Sequence, residues 1–186
     1  MTVADPAGGL RAAFRGHPAG VAVLTATGPD GPVGMTASSV ASVGVDPPAV
    51  SFSTARDSRL AGALAGGGTV VVHLLDDTDT GLAAAFAVPG AERFGAGVRW
   101  MALPTGEPWL VDVGTALRCR VLSVSEVGAS LLVAAEVVEL LGLRRRGRPL
   151  VWVGRAYRGV PVEDEDAVTV AADARPAPGR SPYADG

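Results

Sequence analysis

AGVAVLTATGPDGPVGMTASSVASVGVDPPAVSFST, residues 19–54, is the stretch on which the fold turns. Val21, Val23 and Thr25 alternate with smaller residues, the period of a strand with two distinct faces. Gly28-Pro29-Asp30-Gly31 then reverses the chain, because glycine and Pro-Asp supply the dihedrals of a tight turn. A second β-type run follows as far as Val45. Asp46-Pro47-Pro48 makes a turn that neither a helix nor a central strand tolerates, and Ala49–Ser53 reads as a third strand.

Outward from this core, Leu10, Ala13 and Phe14 keep helical spacing over 8–16, with Gly16 as a stop. On the other side, residues 58–64 predict a short helix capped by Asp57 or Ser58, ended by Gly66-Gly67-Gly68. Val70–Leu75 is an apolar strand, and Asp79 or Thr80 opens a helix through Phe86. Residues 89–108, rich in glycine and proline, read as a long covering loop. Two long strands, 115–127 and 130–141, flank a hairpin at Gly128-Ala129, and a last strand runs from 150 to 157. Six or seven strands in hairpins, with short helices between, predict a mainly β antiparallel barrel rather than βαβ units. With neither a P-loop nor a dinucleotide fingerprint after a strand, a Rossmann site is not expected. The expected organisation is a flexible N-terminus over 1–9, one domain over 10–159, and a disordered Pro/Ala/Asp/Glu-rich tail over 160–186.

Composition narrows the classes. The chain has 186 residues, 48% of them hydrophobic, enough for one domain with a substantial core. Its net charge is −3, and all 16 basic residues are arginine. Apart from Arg144, Arg145, Arg146 and Arg148, expected to form a solvated turn, they are scattered. No positive face for nucleic acid is expected. Cys119 is the single cysteine, so no internal disulfide can form, and it reads as a small hydrophobe. With two histidines besides, no metal site is expected. Neither a signal peptide nor a membrane helix is legible, so the expectation is a cytoplasmic protein with no membrane partner.

Chemistry concentrates between Gly34 and Arg59. Thr36, Ser38 and Ser39 put three hydroxyls within four positions of a predicted strand. Small polar residues on both faces suit a backbone that a flat ligand approaches closely, yet a polar edge strand accounts for them equally well. Ser53-Thr54-Ala55-Arg56-Asp57-Ser58-Arg59 leaves a strand and enters a helix. Hydroxyls, arginines and a helix start favour a phosphate; a plain N-cap with solvated arginines is the competing reading. The functional case requires these two hydroxyl-rich strand ends to meet, with Thr36 and Ser58 facing one groove.

The order of these pieces resembles the flavin reductase-like family, the FMN-binding split barrels that supply reduced flavin to two-component monooxygenases. The resemblance is carried by FRGHPAGVAVLTA at 14–26, GMTASSVASVGVDPPAVSFS at 34–53, SRLAGAL at 58–64, FAVPGAERFGAGVRW at 86–100, PTGEPWLVDVGTALRCRV at 104–121, and Tyr157-Arg158. It implies a six-stranded antiparallel split β-barrel of Greek-key character with short peripheral helices, forming a homodimer with FMN or FAD near the interface. Met35, Thr36, Ala37, Ser38 and Ser39 would lie along the isoalloxazine and ribityl chain. Ser53, Thr54 and Ala55 would add backbone and hydroxyl contacts, and Ser58 and Arg59 would hold the phosphate. Arg93 and Phe94 would close over the cofactor, with Tyr157 coming from the last strand. No residue would act as catalytic nucleophile, since flavin and NADH or NADPH carry the chemistry.

Three positions depart from the family pattern. Ser130 stands where these reductases usually carry a histidine that can titrate near neutrality. Leu60 replaces a threonine that often adds a phosphate contact. His73 occupies a strand position where asparagine is common, and it reads as a neutral structural histidine. Trp100, Trp109 and Trp152 read as packing residues, and His17 has no ligand-spaced neighbours. Two functions follow: an NAD(P)H-dependent flavin reductase serving a partner monooxygenase, or a non-catalytic FMN-binding or electron-carrier protein on the same barrel. A barrel that binds another flat ligand, or only a protein, is a third.

Overall fold

The computed structural model describes residues 5–162. Two barrel-wall strands, β2 (Ala22–Gly28) and β3 (Gly31–Ala37), follow a helix, α1 (Pro6–Arg15), and a two-residue strand, β1 (Ala19–Gly20). Next come β4 (Ala41–Val45), β5 (Pro48–Ala55), α2 (Arg59–Leu64) and β6 (Thr69–Leu74). A 3₁₀ turn (Asp77–Asp79) leads into α3 (Thr80–Ala87), followed by β7 (Trp100–Ala102) and β8 (Pro108–Leu110). The long hairpin of β9 (Thr115–Val127) and β10 (Ser130–Leu143) precedes β11 (Leu150–Val153) and β12 (Ala156–Gly159). All pairings among the named strands are antiparallel, and the main sheet has seven strands in the order β3-β2-β6-β9-β10-β5-β4. Register shifts along β9–β10 at Ala134/Ala135, Val137/Glu139 and Leu140/Gly142 bend this hairpin so that it can wrap.

Strand alternation builds two cores on opposite sides of one wall. Ala22, Leu24 and Ala26 of β2 face an inner core with Phe52, Val70, Val72, Cys119 and Val133, closed at one end by Leu60, Ala61 and Leu64 of α2. Val21 and Val23 face an outer core with Leu75, Ala83, Phe86, Leu110, Val113 and Leu150. Hence β2 is buried from Ala22 through Ala26 without a polar-out face. The sheet curls far enough that β3, at one end of its order, and β5, next to the other end, come into contact. Ser39 Oγ accepts from Ser53 N at 2.9 Å and donates to Ser53 O at 3.2 Å. One side chain thus takes the place of a ladder rung where β3 ends.

The mainly β barrel with short peripheral helices is the predicted class, with differences in detail. The run expected to continue to Val45 breaks between Ala37 and Ala41, where the Ser39 clip redirects the chain into β4. The seven-stranded main sheet replaces the expected six strands. The 89–108 segment contains β7 and the start of β8, because Thr25, Thr27 and His73 of the barrel wall hold the second half of that hairpin. The single last strand is two: Gly154 and Arg155, at φ 59° and 64°, form a reversal between β11 and β12. The helix expected from residue 8 begins at Pro6, inside the stretch expected to be a flexible N-terminus. Most of the expected tail, residues 163–186, lies outside the described residues.

Candidate functional site

The two hydroxyl-rich strand ends meet. Met35, in β3, points inward with Leu24 and packs on the inner core. Thr54, buried near the end of β5, reaches it: its Oγ1 lies 3.2 Å from Met35 Sδ and 2.8 Å from Ser58 Oγ. Ser58 is also the N-cap of α2, its Oγ accepting from Ala61 N at 3.0 Å, which satisfies one of the donors that a helix start leaves free. The β3 end, the β5 end and the α2 entrance are therefore one contact network. Ser39 and Ser53 extend it through their clip, and exposed Ser38 and Ala55 flank it. Ala37 is buried in the inner core beneath.

Residue 130 borders the same place. The β5–β10 register pairs Ser130 with Ala55, and Arg56 N donates to Ala129 O at 2.9 Å. The tip of the long hairpin is thus fastened beside the end of β5.

Two of the predicted residues are arginines. Arg59 follows the N-cap and is exposed, while Arg93 is half-buried. Arg93 Nε donates to Phe86 O at 3.2 Å and Nη2 to Val88 O at 2.8 Å, a cation on the carbonyls at the end of α3, where the helix dipole favours it. Burial pushes the Arg93 guanidinium below its ordinary value, and the like charge of Arg59 adds to that. Among the described residues neither arginine forms a salt bridge. Arg59, exposed beside the α2 cap, is a cation open to an incoming anion.

The remaining predicted residues stand elsewhere. Thr36 lies on the face of β3 opposite Met35, and its Oγ1 donates to Ala83 O of α3 at 2.6 Å. The expectation that Thr36 and Ser58 face one groove is therefore not met: alternation turns Thr36 to the outer face against α3 while Ser58 sits at the α2 entrance, and Met35 is the β3 side chain that reaches Ser58's network, through Thr54. Gly34 shares the outer face of Thr36, and a Cβ there would lie 2.8 Å from Phe86 Cε1. The close approach expected of a flat ligand along this stretch is made, on the outer face, by α3, whose Ala83 and Phe86 cover Thr36 and Gly34. Phe94 packs edge-to-face between Phe86 and Trp100, with both centroid distances 5.4 Å. Tyr157 stacks edge-to-face on Trp152 at 4.8 Å, and burial pushes its phenol up. Both Phe94 and Tyr157 pack against the outer core.

His73 is fully buried, consistent with its structural reading. Leu110 N donates to its Nε2 at 3.0 Å, so Nε2 is unprotonated and Nδ1–H donates to Val23 O at 3.1 Å. Burial lowers its pKa to about 4, against the opposing effect of its backbone hydrogen bonds.

The sequence reading did not single out Glu107, which is 2% exposed. Burial alone would raise its carboxyl, but bonds from Thr105, Thr69, its own backbone and Arg118 outweigh that and hold it below the usual range. Arg118 Nε donates to it at 2.9 Å. With Thr25 donating to Pro108 O and Thr27 to Gly106 O, this pair fastens the β7–β8 hairpin to the barrel. The only sequence signal was an isolated acid in a Pro/Gly-rich segment.

The chain matches the flavin reductase like domain over residues 14–161. It is 38% identical over 160 residues to the NADH:FMN oxidoreductase of Rhodococcus erythropolis, covering 84% of this chain and 83% of that one. Among solved structures, the flavin reductase domain protein from Arthrobacter sp. FB24 superposes with a TM-score of 0.77 at 34% identity, covering 85% of this chain and 98% of that chain. The Streptomyces globisporus NADH:FAD oxidoreductase, solved with NAD and FAD fragments, superposes at 0.76 with 26% identity, over 90% of this chain and 99% of that one. The two meeting strand ends and a match over nearly all the described residues lead to one assignment: this chain belongs to the flavin reductase-like family.

Proposed function

We propose that this chain is a flavin reductase that uses NADH or NADPH to reduce FMN or FAD and releases the product to a partner monooxygenase. The observation that carries the reading is the Met35–Thr54–Ser58 network at the entrance of α2, followed directly by exposed Arg59, which among the described residues forms no salt bridge. That arrangement suits a flavin phosphate, whose charge Arg59 would neutralise while Ser58 supplies a hydroxyl. Ser58 and Arg59 would hold the phosphate, with Arg93 facing it. Met35, Ser38, Ser39 and the Ser53–Ala55 segment would line the remainder. When bound, the flavin supplies the ring that accepts a hydride from nicotinamide. The chain binds and aligns both partners without a nucleophile of its own.

A cytoplasmic homodimer is part of the same proposal. An open apolar groove of about 450 Å³ runs between β4, β5 and the β9–β10 hairpin, lined by Val40, Val45, Pro48, Leu117 and Leu140 among others. Val45 is 88% exposed there, and Val43 is 61% exposed. A patch of this kind favours a protein partner, and a second copy is the partner that the family resemblance implies.

Ser130 at the hairpin tip supports a second reading, a flavin carrier without reductase activity, because no titrating group stands opposite Ala55. Titration with FMN under visible absorbance tests both. Absence of any spectral change or quenching removes flavin binding altogether. If flavin binds, anaerobic mixing with NADH and then NADPH separates the two: rapid bleaching establishes the reductase, and an unchanged spectrum establishes the carrier.

A further inference from the structure

A continuous line of contacts joins a buried histidine, His73, to Arg93. His73 Nε2 holds Leu110 N at 3.0 Å. Leu110 pairs with Trp100 across β7–β8. Trp100 Nε1 donates to Phe94 O at 3.2 Å, and the Trp100 ring meets the Phe94 ring edge-to-face. Phe94 packs the same way on Phe86, whose carbonyl accepts from Arg93. Within residues 89–98, the backbone bonds outside named elements are local, such as Ala91 N to Val88 O and Val98 N to Gly95 O. Side chains, rather than a sheet ladder, therefore set where this segment lies.

We propose that His73 is a positioning residue for the flavin phosphate: by fixing Leu110 it sets, through Trp100 and Phe94, where Arg93 lies. This rests on the flavin reading given above. The geometry at His73 makes the role separable from plain packing, because its two ring nitrogens do different work. Nδ1–H bonds within the barrel wall, to Val23 O, while Nε2 alone reaches the hairpin. An asparagine offers a donor near the Nδ1 position and is too short to reach Leu110. A glutamine carries its amide oxygen to about the Nε2 position and restores an acceptor for Leu110 N.

The experiment compares His73→Asn and His73→Gln for binding of FMN and of riboflavin, which lacks the phosphate, by quenching of flavin fluorescence. Loss of one neutral hydrogen bond corresponds to about a two- to tenfold change in a binding constant. The Asn variant should lose FMN affinity by that factor with riboflavin binding unchanged, and the Gln variant should recover it. Equal weakening of both ligands, an unchanged FMN constant, or a Gln variant no better than Asn overturns the proposal. Amide hydrogen exchange without ligand gives a readout independent of flavin. Exchange in the Asn variant should accelerate at Leu110 and across 93–100; acceleration at Leu110 alone overturns the coupling. If native protein binds neither ligand, the flavin reading has failed, and the exchange data still decide whether His73 positions the segment. Should His73→Asn not fold, Trp100→Phe removes the Nε1 donor to Phe94 O while keeping a ring, and the same contrast between FMN and riboflavin is expected.

Discussion

Replacing Gly34 with alanine separates two explanations for that glycine. An added Cβ would lie 2.8 Å from Phe86 Cε1, 3.1 Å from Phe86 Cδ1 and 3.1 Å from Leu24 O. The backbone oxygen belongs to the central strand β2 and has little freedom to move. The phenyl ring is fully buried and held edge-to-face by Phe94, so moving it disturbs the outer core. Overpacking of this kind costs about 1–3 kcal/mol. For a domain of this length that lowers Tm by roughly 3–10 °C. Thermal unfolding followed by circular dichroism measures the loss. Phe86→Leu, which vacates the ring's space, should make the Gly34→Ala change cheaper than it is in the native background, a coupling that a double-mutant cycle reads directly. A native Tm with lost FMN binding would mean that the glycine serves ligand approach and that the packing argument is wrong.

Other expectations follow from the same geometry. His73 is neutral in the fold, with a pKa of about 4, and should titrate near 6.5 when unfolded. The unfolded chain therefore binds the extra proton between these values, so stability is full above about pH 6.5 and falls by about 2–4 kcal/mol as pH drops to 4. His73→Gln should flatten the Tm-versus-pH curve over that window, and an unaltered slope would place the titration elsewhere. Ser58→Ala removes both the α2 cap and the Thr54 contact. Denaturant titration should show about 1 kcal/mol of lost stability, accompanied by weaker FMN binding; normal stability with normal binding would mean neither bond matters. Ser130→His places an imidazole opposite Ala55 and should add a limb near pH 6–7 to kcat/KM for NADH. A profile identical to the native one would show that this position does not face the reacting groups.

What the sequence disclosed depended on how local the determining physics is. The β9–β10 hairpin was legible nearly to the residue, because two long β-type runs on either side of a Gly128 turn are short-range signals. The cap of α2 was narrowed to Asp57 or Ser58 by the same local signal, and the structure gives it to Ser58. The break after Ala37 was not, because Ser39 bonds Ser53, fourteen residues away, and nothing near either residue announces it. Nor was the direction of Thr36. Alternation separates Met35 from Thr36 but does not say that a helix beginning at Thr80 will cover one face. The β11–β12 reversal was hidden because arginine rarely adopts the positive φ that Arg155 takes. In the site, the residue types were readable and their partition between faces was not.

The two-sided wall also gives the molecule separate reporters for its two layers. Cys119 is fully enclosed in the inner core, and burial pushes its thiol up to about 12, so a thiol reagent can label it only when the barrel opens. Trp100 packs in the outer layer and Trp109 lies beside it on the same hairpin, so their emission follows that layer. Labelling kinetics and emission, recorded across one denaturant series, would reveal whether the aromatic coat peels from an intact barrel or whether both come apart in a single cooperative event.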